Sequence, residues 1–200
     1  GYMGAGKTSV GRVLAHRYGL EHIDLDWRIE QRFHQKISDM FAMIGEEGFR
    51  IRERNMLHEV MGMENVVVSV GGGTPCFFDN MEQMNAEGHT IYLQCSVGVL
   101  VERIMRSQNK RPIVANKTKE ELMNFVAKHL AEREAFYMQA NEVWNGEELR
   151  VENLHTLSPS DSLTSSSSSL QGIMQASLPS TLASFIGSPN LEEHLVRIES

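Results

Sequence analysis

The opening residues of the chain, GYMGAGKT (Gly1 to Thr8), match the pattern G-x-x-x-x-G-K-[ST] in full, and a helical pattern follows directly. In such a loop, backbone N–H groups and the helix N-terminus hold phosphate groups, because the helix dipole favours negative charge there. Lys7 would reach the outer phosphates, and the Thr8 hydroxyl would bind Mg²⁺. An ordinary glycine-rich turn is the alternative. The predicted phosphate-binding residues are Gly4, Ala5, Gly6, Lys7, Thr8 and Ser9.

Two acidic residues, Asp24 and Asp26, lie in HIDLD (His22 to Asp26), which we interpret as a short buried strand. Side chains two apart on a strand point to the same face, and the carboxyl end of a parallel sheet opens on the ligand crevice. One carboxylate could hold a metal through water while the other orients a substrate hydroxyl. A pair of solvated acids at a strand exit fits the spacing equally well.

A glycine triplet and several arginines could bind a substrate. Gly71 to Gly73 follow the hydrophobic run Val66 to Val70, so they should also lie at the ligand end of the sheet. Their backbone N–H groups could meet a substrate's oxygen atoms, although a flexible turn is the alternative. Guanidinium groups pair with carboxylate or phosphate through two hydrogen bonds. The candidates for this role are Arg50, Arg111 and Arg133, which spacing alone does not distinguish from other arginines.

The elements that must position these residues alternate between short β-branched runs and longer helical patterns as far as about residue 150. This alternation predicts an α/β fold with a parallel sheet. We expect strands at His22 to Asp26, Val66 to Val70 and Thr90 to Cys95, with helices after the first loop, at about 46–61, from 97 to near 106 and after 118. Ser38 is a candidate N-cap, and Thr118 with Glu121 forms a capping box. The polar residues 107–118 predict a loop or lid.

A phosphate-binding loop normally follows a strand that fixes its position, and here the loop begins at residue 1. We therefore expect the first central strand of the sheet to be missing from the chain. An apolar segment near the other end, LVRI (Leu195 to Ile198), is a weaker candidate for the vacant place.

Composition bounds the remaining possibilities for this chain of 200 residues. The net charge of -7 argues against a nucleic-acid surface, and no apolar run approaches the roughly 20 residues that cross a bilayer. Only two cysteines occur and no signal peptide is visible, so we expect a cytoplasmic protein.

Serine, proline and small residues dominate past residue 152. We expect a domain at 1–152 and a flexible serine-rich tail at 153–200.

In chain order, GYMGAGKT, DLD, GFR, GGG, RP and REAFY resemble the shikimate kinase family over roughly residues 1–142. The resemblance implies a three-layer P-loop kinase fold, in which helices flank a parallel sheet. It also implies an ATP-dependent phosphotransferase that moves the γ-phosphate of ATP to the 3-hydroxyl of shikimate, with Mg²⁺, and acts as a monomer. Its partners would be these small molecules, with no nucleic acid and no membrane.

The same resemblance implies roles for the nucleotide-side residues. Lys7 and Thr8 would serve the phosphates and the metal, and Asp24 would lie near the metal through water. Asp26 would hold the reacting hydroxyl and accept its proton. Arg111, in the lid at about 107–118, would close over the phosphates and stabilise the transferring charge.

Shikimate's carboxylate would be bound, by the same resemblance, by Arg50 and Arg133, while Gly72 and Gly73 line the other side of the substrate. The substrate-binding segment would span about 27–62. Arg106 is a candidate adenine contact by its position.

Two other functions stay open at this point. One is another small-molecule P-loop kinase, such as a gluconate or adenylate-type kinase, although DLD with GFR favours shikimate. The other is a truncated nucleotide-binding module without turnover. The chain also departs from the family, since Glu134 and Ala135 stand where Ala-Pro commonly follows the substrate arginine.

Overall fold

Helices and short parallel strands alternate along the chain in the computed structural model, which describes residues 1–107 and 117–149. These residues lie within the first of the two units into which the chain divides, Gly1–Thr156. The tail expected at 153–200 lies outside the described residues. The elements are α1 (Lys7–Tyr18), β1 (Glu21–Asp24), α2 (Leu25–Phe33), α3 (Ile37–Met61), β2 (Val66–Ser69), α4 (Asn80–Glu87), β3 (Ile91–Gln94), α5 (Val97–Arg106), α6 (Lys119–Tyr137) and β4 (Glu142–Asn145). A short 3-10 turn, Thr74–Cys76, lies between β2 and α4.

The strands form two parallel pairs. β1 pairs with β2, with Asp24 opposite Ser69, and β3 pairs with β4. The phosphate loop begins between these pairs: a Cβ built on Gly1 would lie 2.8 Å from the Leu93 carbonyl oxygen of β3. On the other side, a Cβ on Gly72, in the loop after β2, would lie 3.4 Å from the Gly1 carbonyl oxygen. Both pairs therefore support the loop.

Each strand pair has its own apolar core. Around β3 and β4 the buried side chains come mainly from the phosphate loop, α5 and α6, among them Tyr2, Leu100 and Leu122. Around β1 and β2 they come mainly from α2, α3 and α4, among them Ile29 and Phe49. The predicted parallel α/β arrangement is thus confirmed. Within the described part of the chain, no helix is long and apolar enough to span a bilayer.

Several predicted element bounds were wrong. The strand expected to run through Asp26 ends at Asp24, because the Asp24 side chain accepts a hydrogen bond from the Trp27 N–H (3.2 Å) and caps α2. The helix expected at about 46–61 is confirmed as the second part of α3, after non-helical Gly45, but a first part that was not predicted precedes it and begins at Ile37 after the cap residue Lys36. Ser38 is therefore inside the helix, not its N-cap. The capping box expected at Thr118 is confirmed, and Ser96 caps α5.

Gly45 bends α3 where the predicted helix was expected to start. Its φ of 69° and ψ of -179° are non-helical, and positive φ is a conformation that glycine adopts at little cost. The bend divides α3 into a first part and the longer part that carries Arg50. Strand β4 and helix α4 were not predicted, since each is short and its periodicity is weak. The segment Leu195 to Ile198 lies outside the described residues.

Gly11 allows α1 to pack directly on β1 and β2. A Cβ built there would lie 2.5 Å from Ser69 Oγ and 2.8 Å from His22 Nε2, two atoms that are themselves hydrogen bonded at 2.9 Å. Ser69 Oγ also donates to the Lys7 carbonyl oxygen at 3.2 Å, so the same contact supports the end of the phosphate loop.

Replacing Gly11 by Ala should therefore destabilise the fold by about 1–3 kcal/mol, because the added methyl group overpacks this contact. Urea unfolding measures the change. Gly98 gives the matched control: it lies in α5 with no atom within 4 Å of a built Cβ, so Gly98→Ala should be neutral or stabilising by about 0.5–1 kcal/mol. Equal unfolding midpoints for the two variants would contradict this packing.

Candidate active site

The loop from Gly1 to Gly6 has the backbone that phosphate binding requires. Gly4 and Gly6 have φ values of 83° and 96°, and α1 begins immediately afterwards at Lys7. The Lys7 ammonium donates to the carbonyl oxygens of Gly1 (2.8 Å) and Tyr2 (3.0 Å), so the lysine side chain folds back over the first residues of the loop. Phosphate oxygens could replace these carbonyl oxygens as acceptors for the same ammonium group.

Thr8 and Asp24 meet beside this loop. The Thr8 hydroxyl donates to Asp24 Oδ2 at 2.8 Å, and the cap bond to Trp27 holds the other carboxylate oxygen. A hydroxyl and a carboxylate are the hard oxygen donors that Mg²⁺ prefers, and Mg²⁺ usually takes only one or two protein ligands besides waters and phosphates. The pair fits such an ion. In residues 1–107 and 117–149, no cluster of three or more His, Cys, Asp or Glu side chains forms an all-protein metal site.

Asp26 lies in the first turn of α2, with one side exposed and the other against the glycine loop, where a Cβ on Gly71 would lie 2.8 Å from Oδ1. Partial burial raises the pKa of Asp26 to about 6. The negative charges of Glu53 and Asp24 raise this pKa further, and the positive charges of Lys7 and Arg50 oppose them. A carboxylate with this pKa is suited to accept a proton near neutral pH.

Arg50 is a buried cation held by α3. Its side chain is 8% exposed, and it donates to Glu53 Oε2 at 2.7 Å and to Glu46 Oε1 at 3.2 Å. Its guanidinium also lies over the Phe77 ring, 4.1 Å from the centroid. The Arg50 Nε–H is buried without a hydrogen-bond partner among the described residues. A buried, unpaired donor beside a cleft is a binding site for an anionic group.

Glu53 and Thr74 connect Arg50 to the glycine loop. Glu53 is 1% exposed and accepts a hydrogen bond from the Thr74 hydroxyl at 2.6 Å. The Thr74 carbonyl oxygen accepts from Asn80 Nδ2 at 2.9 Å, which fixes the turn after the loop. Gly73 lies against Arg50: a Cβ on Gly73 would be 2.5 Å from Nη2. A side chain at Gly73 would require the Arg50 guanidinium to shift.

Arg133, on α6, lies near the same region. The positive charges of Arg133 and Arg50 both act on the pKa of Cys76, which burial raises, so both guanidinium groups lie near that thiol. Gly72 lies between the phosphate loop and α6, because a Cβ there would be 3.6 Å from the Tyr137 hydroxyl. The structure therefore places Asp26, Arg50, Gly72, Gly73 and Arg133 close together, and their roles stay a prediction.

Arg103 is a phosphate-loop contact that the sequence did not single out. Its guanidinium donates to the carbonyl oxygens of Ala5 (3.3 Å) and Gly146 (3.0 Å), joining the loop to the turn after β4. It also lines a cavity of about 250 Å³ beside the loop, whose other lining residues are Ala5, Gly6, Ser9, Val10 and Leu149. Arg106 does not line this cavity. Arg111 lies outside the described residues.

Sequence reasoning also missed Glu53, Thr74 and Tyr137. The spacing of Glu53, three residues after Arg50 on one helix, is a pairing signal that could have identified it. Thr74 and Tyr137 gave no such signal, since their partners are distant in sequence.

Replacing Asp26 by Asn should raise the melting temperature at pH 8 and change it little at pH 4. The folded-state pKa of about 6 lies above the unfolded value of 3.8, so the folded state binds the proton more tightly and loses stability as pH rises through 6. Since solvent reaches the side chain, we expect a gain of roughly 1 kcal/mol, or about 2–4 °C. Calorimetry at both pH values measures it, with exposed Asp39→Asn as control. A gain that is equal at both pH values would contradict the charge effect.

Comparison with known proteins identifies the family and supports the fold. The profile of the shikimate kinase family matches residues 3–157. The shikimate kinase of Phocaeicola vulgatus is 51% identical over 149 residues, which are 74% of this chain and 85% of that protein. That of Bacteroides thetaiotaomicron is 50% identical over 149 residues, with the same coverage of both chains.

Solved structures give the same result. The crystal structure of shikimate kinase from Bacteroides thetaiotaomicron has a TM-score of 0.75 and 47% identity, covering 77% of this chain and 90% of that one. The shikimate kinase from Acinetobacter baumannii, determined in complex with shikimate, has a TM-score of 0.65 and 34% identity, covering 72% and 79%. The P-loop kinase fold, with parallel strands flanked by helices, is thereby confirmed. With its profile match, its relatives at about 50% identity and these structural neighbours, the chain belongs to the shikimate kinase family.

Proposed function

We propose that the chain transfers the γ-phosphate of ATP to the 3-hydroxyl of shikimate, giving shikimate 3-phosphate and ADP. The observation that carries this proposal is the buried Arg50, whose Nε–H has no partner among the described residues and which lies beside Asp26 and a complete phosphate loop. The site thus combines a phosphate donor position, a proton acceptor and a carboxylate pocket, the three features that a hydroxy-acid kinase needs.

The nucleotide side of the reaction uses the loop and α1. The backbone N–H groups around Gly6 and the start of α1 hold phosphate oxygens, and Lys7 exchanges its carbonyl acceptors for them. Thr8 and Asp24 would hold Mg²⁺, which when bound neutralises charge on the phosphates. Arg111, from the segment that the structure does not describe, would add positive charge over the transferring group.

The substrate side uses Asp26. Its carboxylate orients the acceptor hydroxyl and takes the hydroxyl proton as the substrate oxygen bonds to the γ-phosphorus and the bond from that phosphorus to the ADP oxygen breaks. The pKa of about 6 leaves Asp26 ionised at neutral pH yet basic enough to accept the proton.

The carboxylate of shikimate binds between Arg50 and Arg133. The backbone of Gly72 and Gly73 lines another side of the substrate. Glu53 holds the Arg50 guanidinium in place, so Arg50 can bind the carboxylate without losing its own buried partner. The low cysteine content leads us to expect a cytoplasmic protein, and we also propose that it acts as a monomer.

The test is ADP release with Mg-ATP and a panel of acceptors that includes shikimate, gluconate and nucleoside monophosphates. Shikimate alone should stimulate turnover. Lys7→Ala and Asp26→Asn should each lower kcat at least about 100-fold, because they remove charge stabilisation and proton transfer. Exposed Lys128→Ala and Asp39→Asn are the matched controls and should keep full activity. Nucleotide binding without shikimate-dependent turnover in the unmodified protein would refute the kinase function.

The pH dependence of kcat/KM for shikimate should follow Asp26. Activity should rise as pH increases through about 6 and then level off, since only the ionised carboxylate accepts the proton. Initial rates between pH 5 and 8, with saturating Mg-ATP, measure the profile. A profile that stays flat through this range would show that another group takes the proton.

A further inference from the structure

Tyr137 connects the two sides of the carboxylate pocket. It is the last residue of α6, one turn beyond Arg133, so the two side chains lie on the same helix face. The Tyr137 side chain is 1% exposed, and its hydroxyl donates to the Gly72 carbonyl oxygen at 2.5 Å. Helix α6 and the loop after β2 are thereby joined by one directed hydrogen bond, 65 residues apart in sequence.

This bond sets the orientation of a backbone group in the pocket. The Gly72 carbonyl and the Gly73 N–H belong to one planar trans peptide unit, in which C=O and N–H point in opposite directions. Holding the carbonyl oxygen on the Tyr137 side therefore turns the Gly73 N–H away from Tyr137. Gly73 itself lies against the Arg50 guanidinium, where a built Cβ would be 2.5 Å from Nη2. The Gly72–Gly73 peptide unit thus contacts Tyr137 of α6 at one end and lies beside Arg50 at the other.

We propose that Tyr137 is a positioning residue for substrate binding: its hydroxyl fixes the Gly72–Gly73 peptide unit so that this backbone and the two arginines present one preformed carboxylate pocket. The inference rests on the proposed function. Tyr137 does not touch the reacting atoms; it acts through the loop and through Arg133, whose guanidinium also interacts with the Tyr137 hydroxyl. The Tyr137 ring packs against the Tyr92 ring, with centroids 5.1 Å apart. The ring therefore contributes to packing, whereas the hydroxyl contributes the hydrogen bond to Gly72.

Tyr137→Phe separates the two roles, since it removes the hydroxyl and keeps the ring. We expect the KM for shikimate to rise roughly 3- to 10-fold, the effect of losing one hydrogen bond that orients a binding group. The kcat and the KM for ATP should stay within about twofold of the unmodified protein.

Tyr92→Phe is the matched control. Tyr92 lies beside Tyr137 and is equally buried, but its hydroxyl faces Glu134 and makes no hydrogen bond to the glycine loop. The same change at this position should leave the KM for shikimate unaltered. A rise in KM of the same size in both variants would mean that loss of any buried hydroxyl in this part of the core, rather than the loop contact, is responsible.

A substrate analogue locates the effect at the carboxylate. In an analogue with a hydroxymethyl group in place of the carboxylate, the ratio of kcat/KM between the unmodified protein and Tyr137→Phe should fall below about twofold. A ratio as large as that for shikimate would overturn the assignment to the carboxylate pocket.

The outcomes also separate this inference from the proposed function. If the unmodified protein phosphorylates shikimate and Tyr137→Phe has an unchanged KM, only the inference fails. If the unmodified protein neither phosphorylates shikimate nor binds it in calorimetry, both fail. A lower kcat with an unchanged KM for shikimate would also overturn the inference, because a pocket residue acts on binding.

Discussion

The buried Arg50 guanidinium is the constraint around which the substrate side of the protein is arranged. A charge that is 8% exposed must be paired and hydrogen bonded, because an isolated ion is costly to remove from water. Glu53 supplies the opposite charge at 2.7 Å, and Phe77 supplies an aromatic face. Removing one partner of such a buried pair typically destabilises the folded state by about 3–5 kcal/mol. Helix α3 must therefore pack so that the Arg50–Glu53 pair stays intact. The bend at Gly45 precedes this part of the helix and leaves it free to follow that packing.

The Arg50–Glu53 pair also fixes the backbone after the glycine loop. Glu53 accepts from Thr74, and Thr74 accepts from Asn80, so the turn after the glycine loop is fixed by the carboxylate that neutralises Arg50. Asp26 lies close enough for the Glu53 charge to raise its pKa. One buried carboxylate therefore holds the Arg50 guanidinium, stabilises the turn after the glycine loop and raises the pKa of Asp26. These three effects are coupled through charge and hydrogen bonding.

Local signals in the sequence were sufficient for the parts of the site that are contiguous in the chain. GYMGAGKT contains both the glycines with positive φ and the residues that start α1, and the capping box at Thr118 depends on a residue only three positions away. The strand predicted through Asp26 was wrong because the Asp24 side chain offered the backbone a helix cap, which hydrophobic pattern does not reveal. Arg103 could not be told from Arg106, since their difference depends on which face of α5 meets the phosphate loop.

Glycine shows most clearly why contacts distant in sequence were needed. Nothing in the sequence distinguishes Gly11 and Gly73 from Gly98. In the structure, a Cβ built on Gly11 or Gly73 would lie 2.5 Å from a neighbouring side-chain atom, whereas a Cβ on Gly98 would have no atom within 4 Å. Those neighbours, Ser69 and Arg50, come from other elements and are positioned by their own partners. The net charge of -7 likewise conceals a cleft in which Lys7, Arg50 and Arg133 gather positive charge. An anionic substrate meets that local field and not the average charge of the chain, so an acidic protein can bind two anions side by side.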